Sequence, residues 1–152
     1  MKTYSYDAGG NILEKEEYTY DGTSGLTLTD SIDYSYTDSN WKDKLTSYDG
    51  KSITYDAIGN PLSYDGWDLT WEAGRQLSKM FDGTTTLEFK YNDAGIRTEK
   101  TVDEVTTKYT LNGDKVIFED NGTDEIHYTY DANGSLISMN LNGDEYFYIR
   151  NA

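Results

Sequence analysis

The chain has 152 residues, with no cysteine, one proline and 28 acidic against 13 basic side chains, for a formal net charge of −15. Such a charge disfavours nucleic acid and anionic membranes as partners, and without cysteine there are no disulfides, thiolate metal sites or cysteine nucleophiles. No apolar run approaches the ~20 residues that a membrane-spanning helix needs. Hydrophobic content of 36% and a mean hydropathy of −0.80 leave much of the burial to 15 tyrosines, each ring contributing roughly 1.5–3 kcal/mol when covered.

From the N-terminus, Met1 leads into strand sequence with no secretory leader pattern. Tyr4-Ser-Tyr6-Asp7-Ala-Gly-Gly10 sets a pattern: aromatics at alternate positions share one strand face, and an acid then opens a turn that glycine closes. Ile53-Thr-Tyr55-Asp56-Ala-Ile-Gly59 and Tyr128-Thr-Tyr130-Asp131-Ala-Asn-Gly134 are close copies. Leu69-Thr-Trp71-Glu-Ala-Gly74, Phe89-Lys-Tyr91-Asn-Asp-Ala-Gly95 and Thr107-Lys-Tyr109-Thr-Leu-Asn-Gly113 are drifted ones. Recurrence at roughly 16–21 residues marks a repeat architecture.

The predicted elements run as follows. Ile12 to Tyr20 and Leu26 to Tyr36 form a long first pair of arms around the loose loop Asp21-Gly-Thr-Ser-Gly25. The stretch around Trp41 is the least regular unit. Short Asp-Gly or Asn-Gly pairs at 21–22, 49–50, 65–66, 82–83, 121–122 and 142–143 predict type I′ hairpin turns, and Asp103-Glu104 fills one such slot without glycine. Longer turns fall near Gly10, Asn40, Gly59, Gly74, Gly95, Gly113 and Gly134. Segments between turns, among them Ser52–Tyr55, Thr86–Tyr91 and Glu145–Ile149, are rich in Thr, Tyr, Ile, Val and Phe and read as strands. The fold class is all-β: an antiparallel meander of repeated hairpins, expected to make a curved, twisted, elongated sheet or partial barrel.

Sites of chemistry are sparse. His127 is the sole histidine, and general-base work would require a positioned partner for it; a strand position beside Tyr128 is the simpler assignment. The run Glu119-Asp-Asn-Gly-Thr-Asp-Glu125 offers oxygen ligands for calcium but lacks EF-hand spacing, and a solvated hairpin tip accounts for it better. Asn121 and Asn133 satisfy the glycosylation sequon, yet both are turn residues. No catalytic, cofactor or metal residue is assigned. Trp41, Trp67 and Trp71 are candidate glycan contacts, since exposed indoles stack on sugars; the competing assignment places them on the packed face.

The repeated units resemble the YD repeats of the Rhs family, which also occur in bacterial wall-associated proteins, insecticidal toxin-complex C components and teneurins. The resemblance rests on Tyr6-Asp7-Ala-Gly-Gly10-Asn11, Tyr55-Asp56-Ala-Ile-Gly59-Asn60-Pro-Leu62, Trp71-Glu-Ala-Gly74-Arg75-Gln-Leu77 and Tyr130-Asp131-Ala-Asn-Gly134. Lys108-Tyr109-Thr-Leu-Asn-Gly113-Asp-Lys-Val116 and the ending Tyr146 to Ala152 are similar to units found late in such arrays, so it spans Tyr4 to Ala152. It implies a spiralling β-shell around a C-terminal toxin or effector. The chain is far shorter than a complete shell, so 1–152 is expected to be a single repeat domain, either a fragment of a larger secreted or surface protein or a short relative. The expected partners are the rest of the parent shell and its C-terminal cargo, with carbohydrate as the alternative ligand and an edge-mediated homodimer as a further expectation.

Overall fold

The computed structural model describes residues 1–23 and 25–149. Ser24 of the first loose loop and the final Arg150–Ala152 of the family-like ending lie outside the described residues. Every regular element among those described is a β-strand. The chain divides into two compact units, Met1–Leu69 and Thr70–Ala152, with the limit falling inside one strand.

The first unit contains β1 (Lys2–Tyr6), β2 (Ile12–Tyr20), β3 (Leu26–Ser35), β4 (Ser47–Tyr48) and β5 (Lys51–Ser52), which lie side by side in chain order, each antiparallel to the next. β6 (Ser63–Tyr64) and the start of β7 (Trp67–Glu72) make a further hairpin with Tyr64 opposite Trp67. The helix-like composition of Asn11–Glu17 is overridden by pairing, and β2 runs unbroken from Ile12 to Tyr20. Residues 36–46, around Trp41, hold no strand. The strand expected over Ser52–Tyr55 ends at Ser52, and Tyr55 instead makes an isolated bridge with Pro61. Proline has no N–H for a ladder, and the Thr54 N–H donates to Ser63 Oγ at 3.0 Å.

In the second unit, β8 (Gln76–Phe81), β9 (Thr86–Tyr91), β10 (Arg97–Val102), β11 (Val105–Asn112), β12 (Lys115–Asp120), β13 (Glu125–Tyr130), β14 (Leu136–Leu141) and β15 (Asp144–Phe147) follow in chain order, again antiparallel. Neither meander closes on itself. Hairpins give this result because each reversal returns the chain beside the strand it has just left.

Burial is shallow. Among the described residues Ile53 is the one buried hydrophobic side chain, accompanied by the buried polar Asn60 and Ser138. Aromatic residues share the load while half-covered: Tyr34 packs edge-on against Tyr48 with ring centres 5.3 Å apart, and Tyr48 lies 5.1 Å from Tyr64. Alternation separates the faces of the later strands. In β9, β11 and β13 the residues Phe89, Tyr109, Leu111, Ile126 and Tyr128 are more covered than Lys90, Lys108, Thr110, His127 and Thr129 between them.

Asp21-Gly22, expected as a type I′ turn, lies in the wider connection between the partners Tyr20 and Leu26, and the other five Asp-Gly and Asn-Gly turns split into two kinds. Asp49-Gly50, Asp65-Gly66 and Asn142-Gly143 have positive φ at both residues, the geometry expected of type I′ hairpins. Asp82-Gly83 and Asn121-Gly122 open four-residue loops instead. Asp82 Oδ1 accepts the Thr84 and Thr85 N–H groups, and Asn121 Oδ1 accepts those of Thr123 and Asp124. Side-chain capture of the following amides wins there over the left-handed pair.

Candidate repeat-closing site

The recurrent Tyr-Asp or Tyr-Asn loop is the site that the sequence singles out, and its chemistry is structural. In Asp7–Asn11, Asp56–Asn60, Asn92–Ile96 and Asp131–Ser135 the first residue's N–H donates to the carbonyl of the fifth at 2.9 Å. The N–H of the fourth residue, Gly10, Gly59, Gly95 or Gly134, donates back to the first residue's carbonyl at 2.9–3.2 Å. The first residue's Oδ1 accepts the N–H groups of the third and fifth, at 2.7–3.0 Å in all four. One oxygen thus satisfies two amides that no strand could pair.

A second interaction is carried by two loops only. Asn11 Nδ2 donates to Asp7 Oδ2 at 2.9 Å, and Asn60 Nδ2 to Asp56 Oδ2 at 2.8 Å. Asp7 is held below the usual carboxylate range mainly by this side-chain bond and by the Asn11 amide. At Asp56 burial pushes upward, but the Asn60 and Ile58 bonds together outweigh it and leave the group lowered.

The tyrosine before the loop does separate work. Tyr55 donates its hydroxyl to Leu45 O at 2.7 Å, Tyr91 to Leu77 O at 2.9 Å and Tyr130 to Val116 O at 2.8 Å. Extending the observed registers puts Tyr91 opposite Gln76 and Tyr130 opposite Lys115, so each hydroxyl reaches diagonally to the next carbonyl on the neighbouring strand. In two of the three, the lysine just before the accepting residue covers the tyrosine ring. Lys44 lies 4.7 Å from the Tyr55 ring centre, and Lys115 lies 5.2 Å from that of Tyr130 while donating to Gly134 O at 2.9 Å. Cation–π contacts of this kind contribute roughly 0.5–1 kcal/mol when exposed.

The other motif residues do not make this closure. Tyr6 is 57% exposed. The long turns expected at Gly74 and Gly113 are short ones. Ala73 and Gly74 both have positive φ, and Gly113 lies between Asn112 and Lys115, which pair directly. Trp71-Glu-Ala-Gly74 is one residue too short for the five-residue loop, and Tyr109 is followed by Thr110, whose hydroxyl captures following amides more weakly than an Asp or Asn side chain does. Tyr109 instead has Arg97 5.4 Å from its ring centre, and burial raises its hydroxyl pKa. The loop role of the fifth residue was not assigned from sequence, although the repeated Gly10-Asn11 and Gly59-Asn60 pairs are its signal.

The remaining candidates are distributed as follows. Trp41 is 56% exposed, and its ring approaches Gly59. Trp67 and Trp71 are half-buried and share one face of β7 with Leu69. His127 stacks on Phe118 with ring centres 4.5 Å apart. Three oxygens of the acidic run are taken up in bonding: Asp120 Oδ1 accepts Gly122 N–H, Asp124 Oδ1 accepts Asn142 Nδ2 and Glu119 Oε1 accepts the Tyr128 hydroxyl. No grouping of three metal-ligating side chains occurs among the described residues. An open depression of about 740 Å³ in the second unit is lined by Thr84, Thr86, Glu88, Thr101, Asp103 and Val105, among others. No family model matches the chain, and a search of curated proteins found no match.

Proposed function

We propose that the chain is a non-catalytic structural repeat module, part of an encapsulating or surface-displayed β-shell in a secreted polymorphic-toxin or wall-associated protein. The observation that carries this reading is the tyrosine closure repeated at Tyr55, Tyr91 and Tyr130. Side chains that would be available to a ligand are used to tie one segment to its neighbour, from strand to strand at Tyr91 and Tyr130 and outside the strands at Tyr55. A wall-building role asks for this allocation: nearest-neighbour ties let an array extend without a central core. The resemblance of the Tyr-Asp-x-x-Gly units to YD repeats supplies the shell and its cargo.

The test is limited proteolysis of the product of the complete gene that encodes this chain. Encapsulation predicts a C-terminal segment that survives proteolysis inside the intact array and is digested once the array is unfolded. A gene without such a segment, or a segment digested equally in both states, overturns it. Carbohydrate binding is the second reading, favoured by the exposure of Trp41; a glycan array with no ligand, together with unchanged Trp41 fluorescence on adding sugars, removes it.

A further inference from the structure

We propose that a depression on the second meander binds a small zwitterion, an α-amino acid with an apolar side chain the size of leucine, its carboxylate on Arg97 and its ammonium on Glu119. The depression measures about 320 Å³ and is lined by Ile96, Arg97, Tyr109, Val116 and Glu119. These residues come from β10, β11, β12 and the position just before β10. It lies within the sheet, where β9 and β13 are paired on either side. Small-molecule pockets start at roughly 300 Å³ and set a few polar groups among apolar ones, as here.

Register and ring contacts bring the two charges to one face. Tyr109 and Glu119 are direct partners on β11 and β12, so their side chains lie together. Arg97, on the other side of β11, has its Cζ 5.4 Å from the Tyr109 ring centre and 5.5 Å from that of Phe89. The two rings hold the guanidinium, whose fork suits a carboxylate. Glu119 Oε1 accepts the Tyr128 hydroxyl at 3.0 Å, which fixes that carboxylate and leaves Oε2 for a donor. Among the described residues neither Arg97 nor Glu119 takes part in an ion pair, although both line the same depression. Two strand spacings, about 9.6 Å, separate their strands. A carboxylate and an ammonium on one carbon bridge side chains that are too far apart to touch, each end adding a charge-assisted bond of about 2.8 Å.

Charge selects the class of ligand. A simple anion would meet Glu119 and a simple cation would meet Arg97, so each carries one repulsion with its one attraction. The net charge of −15 turns free anions away as well. A zwitterion carries no net charge and satisfies both groups. Its apolar side chain is covered by Ile96, Val116 and the Tyr109 ring.

The experiment titrates the full chain with L-leucine by isothermal titration calorimetry, beside 4-methylpentanoate, which lacks the ammonium, and 3-methylbutylamine, which lacks the carboxylate. The expected result is saturable leucine binding that is weaker by about tenfold or more for either analogue, because one charged group loses its partner. Arg97→Gln should weaken leucine binding by a similar factor and leave 3-methylbutylamine no weaker. Glu119→Gln should weaken leucine binding and leave 4-methylpentanoate no weaker, while Glu104→Gln, at a turn away from the site, changes none of the three. The proposal is overturned by no saturable binding of leucine, by an analogue that binds as well as leucine, or by leucine binding that survives either site substitution at full strength. The analogue comparison uses the unaltered chain and so decides the matter whether or not the variants fold.

Discussion

The hydroxyl of Tyr130 donates to the carbonyl of Val116 at 2.8 Å, joining the end of β13 to the start of β12 at the point where the next loop begins. Lys115 lies over the same ring and donates to Gly134 O, so one lysine bridges the tyrosine and the loop that follows it. Tyr91 with Leu77, and Tyr55 with Leu45, repeat the hydroxyl bond.

Removing only that hydroxyl should therefore be felt. Tyr55→Phe, Tyr91→Phe and Tyr130→Phe are each expected to lower stability by about 1–1.5 kcal/mol, because a part-buried carbonyl loses its donor while the ring stays in place. Tyr6→Phe, at a 57% exposed position, should change it by less than about 0.5 kcal/mol. Urea denaturation of the four variants is the check.

The loops distinguish asparagine from aspartate by their fifth residue. At Asp56 an added amide would face the Asn60 amide, whose residue is buried, so Asp56→Asn should cost about 1–2 kcal/mol. At Asp131 the fifth residue is Ser135, and Oδ1 takes up the two loop amides as Asn92 Oδ1 does at its own loop. Asp131→Asn should change stability by less than about 0.5 kcal/mol. Thermal midpoints of the two variants at neutral pH decide the matter.

Gly134 combines φ of +78° with a near neighbour: a Cβ there would lie 2.7 Å from Lys115 Nζ and 2.9 Å from its Cε. Gly134→Ala is expected to cost about 1–2 kcal/mol from left-handed backbone strain alone, with the displaced Lys115 adding to it. Gly10 has a similar φ of +90° but open space around its Cβ. Gly10→Ala should therefore cost less, and the difference between the two variants measures the lysine bridge.

Acid should loosen the first unit early. Side-chain bonds from Lys15 and Lys2 depress Glu17 to about 2, and Asp7, Asp38 and Asp56 are also held low by their loop bonds. A lowered folded-state pKa stabilises above the unfolded value and is lost as pH falls through the folded one. Stability should thus decline from about pH 4.5 toward pH 2. At the alkaline end Lys15, Lys51 and Lys90 are raised by Glu17, Asp65 and Glu99. Their contribution is full below the ordinary lysine range and is lost as pH rises through the raised values. Thermal midpoints across pH should show a plateau between these limits, and Glu17→Gln should flatten its acidic side.

Much of this was legible in the residues. Strand alternation around Tyr91 and Tyr130, the Asp7, Asp56 and Asp131 turns and the Asn142-Gly143 reversal follow from side-chain period and local amide capture, which are properties of a few adjacent residues. What was hidden is relational. The acceptors Leu45, Leu77 and Val116 are backbone carbonyls, and any residue supplies one, so sequence cannot mark them. The short turn at Gly74 hinged on one missing loop residue, and that at Gly113 on a threonine where the aspartate should stand.

The central claim is that each reversal is secured by its own neighbouring strand and not by a shared core. Hydrogen exchange on Tyr130→Phe, read residue by residue, tests it most directly. The account predicts faster exchange concentrated in β12 to β14 with β1 to β3 unchanged. Acceleration spread evenly over both units, or none in β12 to β14, would contradict it.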